Sequence, residues 1–360
     1  MKLSRLAAAT LLACSGVAGA QRASSLERVT MIINPQRVCA TARAGAYPNL
    51  DLIVANPGKS ERQIEELRAL VHDSRGMLIE RRLLWQQALG VLGRDRTIAP
   101  TSRTLLFNPF AFSSDLAGNV ITYELLLAGD PTPASAKARV ESCVNSHRLM
   151  LPVTGRALVY DGYDHLSHHR RGTYDDDWSK AMGISDNFQR FGLDLVMIDA
   201  SGRFFTGDGS RTDQWLGWGK PVRASAAGIV AAVHDGQPDN VVIGTVDKWI
   251  DRPSRAKPMS SYGNYVLINH APREFSIVGH LRNGSVRVKK GDRVQAGQVI
   301  GAIGNSGASG GVHVHFERRT GFGLAGIETL PAYFSNLVLI GAGRVNGKIA
   351  IDSGDVVVGK

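Results

Sequence analysis

Three features are missing from this 360-residue sequence, and each absence narrows the kinds of protein it can encode. After the first 20 residues no apolar run is long enough for a transmembrane helix. The motif His-Glu-x-x-His is absent, so we do not expect a zinc site built on one helix with a glutamate base. The formal charge is +10, yet lysine and arginine form no long run. Such dispersed charge is as typical of a solvated surface as of a binding patch.

The first 20 residues have the pattern of an export signal. Lys2 and Arg5 supply positive charge, residues 6–13 are apolar, and the small residues ending at Ala20 fit a cleavage site. Lipoprotein processing at Cys14 is an alternative, because the residues before it partly fit a lipobox. We therefore expect the mature chain to be periplasmic or secreted, where anionic envelope material is a better candidate partner than nucleic acid.

Two cysteines, Cys39 and Cys143, remain once the signal is removed. In an oxidising compartment an even pair predicts a disulfide bond, and two buried thiols are the alternative. A bridge would restrict the unfolded state of the first part of the mature chain.

The mature chain, about 340 residues long, is expected to form two domains. Residues 21–150 contain short, partly alternating apolar runs separated by turn signals, which predicts an all-β accessory domain, an immunoglobulin-like sandwich. Residues 63–70 also fit a helical period, so a helix is an alternative there. The runs that predict strands are Val29–Ile33, Leu50–Ala55, Glu66–Val71, Met77–Leu84, Thr104–Phe107 and Val120–Leu127.

Residues 151–340 are rich in glycine and histidine and predict a second all-β domain, an antiparallel sheet with tight turns. Strands are expected at Ala227–Val230, Tyr265–Ile268 and Arg287–Lys290. The polar residues 235–261 carry three prolines and predict a surface insertion. Residues 341–360 predict a C-terminal hairpin or tail.

The tripeptide His313-Val314-His315 follows a glycine-rich loop, residues 304–311. Residues i and i+2 of a strand point to one face, so both imidazoles would face one site while Val314 faces the core. Two such histidines can share a metal ion or divide metal binding and acid–base catalysis between them. A pair of structural histidines is the alternative.

Three further segments carry histidine or aspartate side chains that could bind a metal ion or act as acid–base groups. His168 and His169 precede two arginines, Asp194 lies inside an apolar run, and His280 ends another apolar run. A carboxylate among apolar neighbours needs a partner, which a cation would supply. Two imidazoles and one carboxylate are a common zinc ligand set that leaves a position for water.

In this order, the segments resemble the lysostaphin-like (LytM-type) zinc metallopeptidases that cleave peptidoglycan cross-bridges. The resemblance covers Arg156 to Thr320 and includes the segments Gly-His-Leu, Gly-Asp-x-Val-x-Ala-Gly-Gln-x-Ile-Gly and His-x-His. It implies an exported endopeptidase that hydrolyses peptide cross-links of bacterial peptidoglycan. It also implies one zinc ion per chain, bound by His169, Asp194 and His315, with His280 and His313 as catalytic histidines that are not ligands.

The sequence departs from that family at the first ligand. In most members the first histidine and the aspartate are four residues apart, whereas His169 and Asp194 are 25 apart. His168 and His165 are therefore rival ligands. Two other functions stay open: a non-catalytic wall-binding regulator that activates another hydrolase, and a metallopeptidase that acts on secreted proteins.

Overall fold

The computed structural model describes residues 28–40, 47–92, 96–113, 115–172, 174, 177–245, 259–335, 337–341, 343–344 and 347–360. The predicted export signal and Cys14 lie outside these residues, as does much of the predicted insertion. Among the described residues, no helix has the length and hydropathy that crossing a membrane requires.

The N-terminal part of the chain folds into two facing β-sheets. One sheet has the strand order β1-β3-β7, and the other has the order β2-β9-β8-β4-β5, with β6 also paired to β4. The strands are β1 (Thr30–Asn34), β2 (Val38–Ala40), β3 (Asp51–Asn56), β4 (Arg62–His72), β5 (Leu78–Trp85), β6 (Thr97–Ile98), β7 (Ser102–Phe107), β8 (Val120–Leu127) and β9 (Ala134–Ser142). A 3-10 helix covers Gln86–Leu92.

Alternation of apolar and polar residues explains this packing. In β8 every second side chain is buried, from Ile121 to Leu127, and these side chains meet those of β4 and of the opposite sheet in one core. The helix considered for residues 63–70 is wrong, because β4 pairs with both β5 and β8 along this stretch. Ladder bonds to two neighbours outweigh a weak helical periodicity.

The strand order confirms the immunoglobulin-like sandwich. The first strand, β1, pairs with β3 in one sheet, and the chain then crosses so that β2 runs parallel to β9 in the other. With β9, β8 and β4 in consecutive order, the second sheet corresponds to the G, F and C strands of that fold.

The rest of the chain forms one large antiparallel sheet with two small additions. Its strands are β10 (Gly155–Asp161), β11 (Leu193–Met197), β12 (Pro221–Arg223), β13 (Gly228–His234), β14 (Asn264–Ala271), β15 (Glu274–Leu281), β16 (Arg293–Val294), β17 (Val299–Ala302), β18 (Val314–Arg319), β19 (Thr329–Leu330), β20 (Tyr333–Phe334), β21 (Leu337–Leu339), β22 (Gly343–Arg344), β23 (Ile349–Ala350) and β24 (Val356–Gly359). The helical segments are α1 (Asp177–Ala181) and the 3-10 turns Thr212–Gln214 and Ser260–Tyr262.

The large sheet has the order β16-β13-β14-β15-β18-β11-β10-β24-β21-β22, with β19 paired to β18. The small sheets pair β12 with β17 and β20 with β23. The strand expected at Arg287–Lys290 is wrong: this segment is irregular, and its backbone is tied instead by single bonds such as Arg287 N–H to the Ile300 carbonyl. The C-terminal residues supply β24, which lies between β10 and β21 in the large sheet.

The sandwich and the large sheet are joined by packing, and a disulfide within the sandwich lies at their junction. Cys39, in β2, is bonded to Cys143, just after β9, which confirms the predicted disulfide. Both cysteines belong to the core of the C-terminal part. A separate apolar cluster joins Leu105 and Phe107 of β7 to Tyr262 and Leu267 of the C-terminal part. The fold is all-β apart from short helical segments in the described residues.

Candidate metal centre

Four neighbouring strands of the large sheet bring the polar groups together. Their order is β15-β18-β11-β10. Across the ladder, Asp161 of β10 faces Asp194 of β11, Asp194 faces His315 of β18, and His315 faces Gly279 of β15. Because residues opposite each other in a sheet have adjacent side chains, residues far apart in sequence meet at one place.

Asp194 is the centre of this group. Its Oδ1 lies 3.0 Å from Nδ1 of His315, 3.4 Å from Nε2 of His313 and 3.7 Å from Nε2 of His169. Its Oδ2 lies 3.8 Å from Nε2 of His168. Burial alone would raise the pKa of Asp194, but the charges of His313 and His169 outweigh burial and hold that pKa well below its usual range. The carboxylate is therefore charged.

His315 is buried and lies between two carboxylates. Its Nδ1 faces Asp194, and its Nε2 lies 2.8 Å from Oε1 of Glu317. Burial lowers the pKa of His315, but its hydrogen bonds to Asp194 and Glu317 raise it to about 9. Tyr262 Oη donates to the same Oε1 at 2.8 Å, and Arg319 lies 3.5 Å from Oε2, so Glu317 is held in place. A carboxylate behind a histidine fixes the orientation of the ring for metal binding.

The turn at residues 167–170 is organised by Asp161. Its Oδ2 accepts from the Ser167 hydroxyl at 2.8 Å and from the backbone N–H of His169 at 3.2 Å, and Oδ1 accepts from that of His168 at 3.2 Å. The same Oδ2 lies 2.9 Å from Nδ1 of His168 and 2.8 Å from Nδ1 of His169, although the His169 contact lacks hydrogen-bond geometry. Both rings therefore direct Nε2 toward Asp194.

His280 is directed into the site by a β-bulge. Between the pairs Asn264–Leu281 and Val266–Val278, β15 has two residues where β14 has one. His280 takes up the extra length with a left-handed backbone, φ +59°. A non-glycine residue in this conformation is uncommon in a strand and is found preferentially at functional sites. The bulge places its ring 4.7 Å from that of His313, between centroids.

The bonds of His280 and His313 fix their tautomers. Nδ1 of His280 lies 2.7 Å from the Ser306 carbonyl oxygen, and Nδ1 of His313 lies 2.8 Å from that of Gly311. A carbonyl oxygen only accepts, so each Nδ1 carries a proton, and in the neutral form of either ring the lone pair is on Nε2. Burial, followed by the charges of His313 and His315, holds the pKa of His280 well below its usual value. The His280 ring is therefore neutral.

A groove of about 640 Å³ opens over these groups. Its floor includes His168, His169, Asp194, His280 and His313, and its apolar wall includes Tyr160, Phe204 and Trp215. Phe204 stacks on Trp215 with 6.1 Å between ring centroids, and Tyr160 meets Phe204 edge-on at 6.3 Å. A groove of this size with convergent polar groups is typical of a ligand-binding site.

The structure brings together the five residues predicted for the site: His169, Asp194, His280, His313 and His315. A geometric group of possible metal ligands consists of Asp161, His168, His169 and Asp194, with ligand atoms within 4.8 Å of one another. The rival His168 therefore lies in the site. The rival His165 stacks against Tyr47 and contacts Arg171 instead.

Sequence reasoning missed Asp161 and Glu317. For Glu317 a signal was available, because residues 313, 315 and 317 alternate along one face of a strand. For Asp161 the sequence offers no comparable signal, since its role follows from the pairing of β10 with β11.

Residues 213–323 match Peptidase family M23. The chain carries a domain of this peptidase family. The matched residues include His280, His313 and His315, and they begin after Asp194 and the turn that holds His169. The family M23 match thus covers the three histidines of the site that follow the family's usual motifs, and it does not include the two residues, His169 and Asp194, whose spacing is unusual.

Among curated proteins, the chain is similar to peptidoglycan DD-endopeptidase ShyA of Vibrio cholerae. The two are 44% identical over 55 residues, which are 15% of this chain and 12% of ShyA. The match thus spans about an eighth of that relative's length.

Two solved catalytic domains are also similar. That of the prophage-encoded M23 protein EnpA from Enterococcus faecalis is 23% identical, with a TM-score of 0.26, over 48% of this chain and 88% of EnpA's. That of lysostaphin from Staphylococcus simulans is 20% identical, with a TM-score of 0.25, over 49% and 88%.

The donors of the site fit a divalent cation. Imidazole nitrogens and a charged, buried carboxylate are ligands that zinc prefers. Four histidines direct a ring nitrogen toward the one carboxylate of Asp194. The raised pKa of His315 indicates that the surrounding carboxylates stabilise positive charge at this place, which a metal ion would supply.

Proposed function

We propose that this chain is an exported zinc metalloendopeptidase that hydrolyses peptide cross-links of bacterial peptidoglycan. One observation carries the proposal: four histidines and Asp194 from separate segments line one groove, within a chain that carries a family M23 domain. The similarity to a peptidoglycan DD-endopeptidase supports the substrate class. Export is supported by the signal pattern of the first 20 residues.

We assign His169, Asp194 and His315 as the residues that hold zinc. His169 is preferred over His168 because it is buried against the His315 ring, 4.6 Å between centroids, whereas 65% of the His168 side chain is exposed. The bound ion would polarise a peptide carbonyl and make a water molecule acidic enough to lose a proton near neutral pH. Glu317 and Asp161 keep the ligand rings oriented.

The protein's own acid–base groups are His313 and His280. In the neutral form of each ring, the bond from Nδ1 to a backbone carbonyl leaves the lone pair on Nε2. His313 lies 3.4 Å from Asp194, and in its neutral form Nε2 can accept a proton from water and then give that proton to the leaving amine. Its neighbour His280 can protonate the amine or stabilise the developing oxyanion once its own Nε2 has taken up a proton from the water. The apolar wall of the groove excludes water and orients the peptide.

Two classes of variant test the assignment. Asp194→Ala and His315→Ala remove a ligand, so we expect loss of zinc and loss of peptidoglycan hydrolysis together. His280→Ala and His313→Ala keep the ligands, so we expect retained zinc with hydrolysis slower by about 10²–10⁴-fold. The measurements are zinc content of the purified mature chain and release of fragments from purified sacculi, with the exposed His234→Ala as control.

Each contrary result has a distinct meaning. Hydrolysis that survives in Asp194→Ala and His315→Ala would remove the proposed role of the site. If the wild-type chain binds no zinc but activates another hydrolase when the two are mixed, the chain is a regulator and not an enzyme. Faster cleavage of casein than of sacculi would shift the substrate to secreted proteins.

A further inference from the structure

We propose that Asp51, in the N-terminal sandwich, is a positioning residue for the zinc site. It holds two buried arginines that border the segments supplying His169 and Asp194. The proposal rests on the proposed function, because it assumes that these residues bind zinc. The sandwich would then help to hold the metal ligands in place. An accessory domain would otherwise be expected only to bind a partner or to act as a spacer.

Asp51 is the meeting point of three side chains from the C-terminal part. Its Oδ1 accepts from Nη1 of Arg170 at 2.6 Å, and its Oδ2 lies 2.8 Å from Nη2 of Arg190. The Tyr174 hydroxyl donates to Oδ2 at 3.1 Å. The side chains of Asp51 and Arg170 are 0% exposed, and that of Arg190 is 1% exposed. Ion pairs buried this fully are little screened and hold their geometry closely.

Each arginine lies beside a residue of the site. Arg170 directly follows His169, and its guanidinium also donates to the Leu50 carbonyl. Arg190 is four residues before Asp194. In the resemblance described above, this position belongs to the first histidine ligand. Here it holds a cation that pairs with Asp51 and Asp186.

The two segments are also joined to each other and to the sandwich. Asn187 Nδ2 donates to the His169 carbonyl at 2.6 Å, and Asn49 Nδ2 donates to the Arg190 carbonyl at 2.6 Å. The position of His169 relative to Asp194 is thus fixed through one network centred on Asp51. Because the usual ligand position is occupied by Arg190, the chain needs such a network to bring a histidine from a different segment.

Zinc affinity should report this role, because ligand atoms must be held within about 0.5 Å of their working positions. Asp51→Asn keeps the shape and an acceptor for Tyr174 but removes the charge that both arginines face. We expect zinc to bind about 10–100-fold more weakly, as is typical when a residue that supports a ligand is lost. Substitution with Co²⁺ should give an altered visible absorption spectrum, since the ligand geometry changes.

The matched control removes a hydrogen bond between the same two parts of the chain that involves none of the residues assigned to the site. Tyr333→Phe loses the bond from its hydroxyl to the Ala40 carbonyl, 3.0 Å in the wild type. We expect its zinc affinity and Co²⁺ spectrum to match the wild type. Should Asp51→Asn fail to fold, Arg170→Lys is the second variant: it keeps the charge, loses the planar fork, and is expected to weaken zinc binding.

The experiment is a competition between the full mature chain and a chromophoric chelator for Zn²⁺, with circular dichroism to establish folding. Unchanged affinity and spectrum in folded Asp51→Asn would overturn the proposal, as would equal weakening in Tyr333→Phe. A wild type that binds no zinc would overturn the proposed function, and this proposal with it. Normal wild-type binding with an unaffected Asp51→Asn would overturn this proposal alone.

Discussion

Gly192 lies where two imidazoles of the site leave no room for a side chain. A Cβ added there would be 2.9 Å from Cε1 of His315 and 3.0 Å from Cγ of His169. Real Cβ atoms essentially never come within 3.0 Å of another atom, so the His315 ring must move if this residue changes, and the His169 ring must give way by a few tenths of an ångström. The glycine therefore allows two ligands from different segments to meet.

Gly192→Ala is predicted to weaken zinc binding by about 10-fold or more, in the range seen when groups supporting a ligand are disturbed. The physical reason is displacement of His169 or His315. Zinc affinity measured by chelator competition checks this. Gly90→Ala is the control, because a Cβ there meets nothing within 4 Å. Equal affinities in Gly192→Ala and wild type would show that the two rings are not held as described.

At the scale of the element, alternate side chains of strand β18 have different functions: those on one face belong to the site, and those on the other face pack in the core. His315 and Glu317 face the site, whereas Val314 and Phe316 face the core. Phe316 is fully buried, and its ring centroid is 5.2 Å from that of Phe334. Substitutions on the two faces of this one strand should therefore have different consequences.

Phe316→Ala should lower the free energy of unfolding by about 3–5 kcal/mol, because it removes buried apolar surface and leaves a cavity. Urea denaturation of the variant and wild type measures this difference. His315→Ala removes a group from the opposite face and should chiefly affect zinc content. A loss below about 1 kcal/mol for Phe316→Ala would contradict the packing described for β18.

The same alternation explains what the sequence could predict. Val120–Leu127 was predicted as a strand with the bounds it has, because its pattern is regular. His313 and His315 were predicted together from their i, i+2 spacing. The strand β24 and the roles of Asp161 and Asp51 depend on pairing between segments far apart in the chain. Local patterns carry no information about such pairing.

The bulge at His280 and the proximity of His169 to Asp194 are further features that local sequence patterns do not predict. The apolar run before His280 predicted its place at the end of a strand, but not the left-handed backbone that aims it at His313. His169 and Asp194 are 25 residues apart, so only the family resemblance, and no local pattern, predicted that they lie close together. That proximity comes from Asp161, in a neighbouring strand, and from Asp51, in the sandwich.

At the scale of the whole molecule, the sandwich and the large sheet are connected at several independent places. The apolar cluster around Phe107 and Tyr262 and the pairing of Asp51 with Arg170 and Arg190 cross between them, and the disulfide within the sandwich packs into the core of the C-terminal part. The division into residues 21–150, 151–340 and 341–360 stays a prediction. The contacts mean that the two parts support each other.

Loss of the disulfide should destabilise the folded chain. The cysteines are 104 residues apart, and closing a loop of about 100 residues is worth about 4.7 kcal/mol through the unfolded state. We expect the paired substitution Cys39→Ser with Cys143→Ser to lower the free energy of unfolding by about 2–5 kcal/mol. Urea denaturation, with the reduced wild type alongside, measures it. An unchanged midpoint would mean that the bond contributes nothing to stability.

The most direct test of the central claim is an anomalous difference map at the zinc absorption edge, from a crystal of the mature chain. We predict one peak per chain, about 2.0–2.2 Å from Nε2 of His169, the carboxylate of Asp194 and Nδ1 of His315. No peak, or a peak away from Asp194 and His315, would contradict the account.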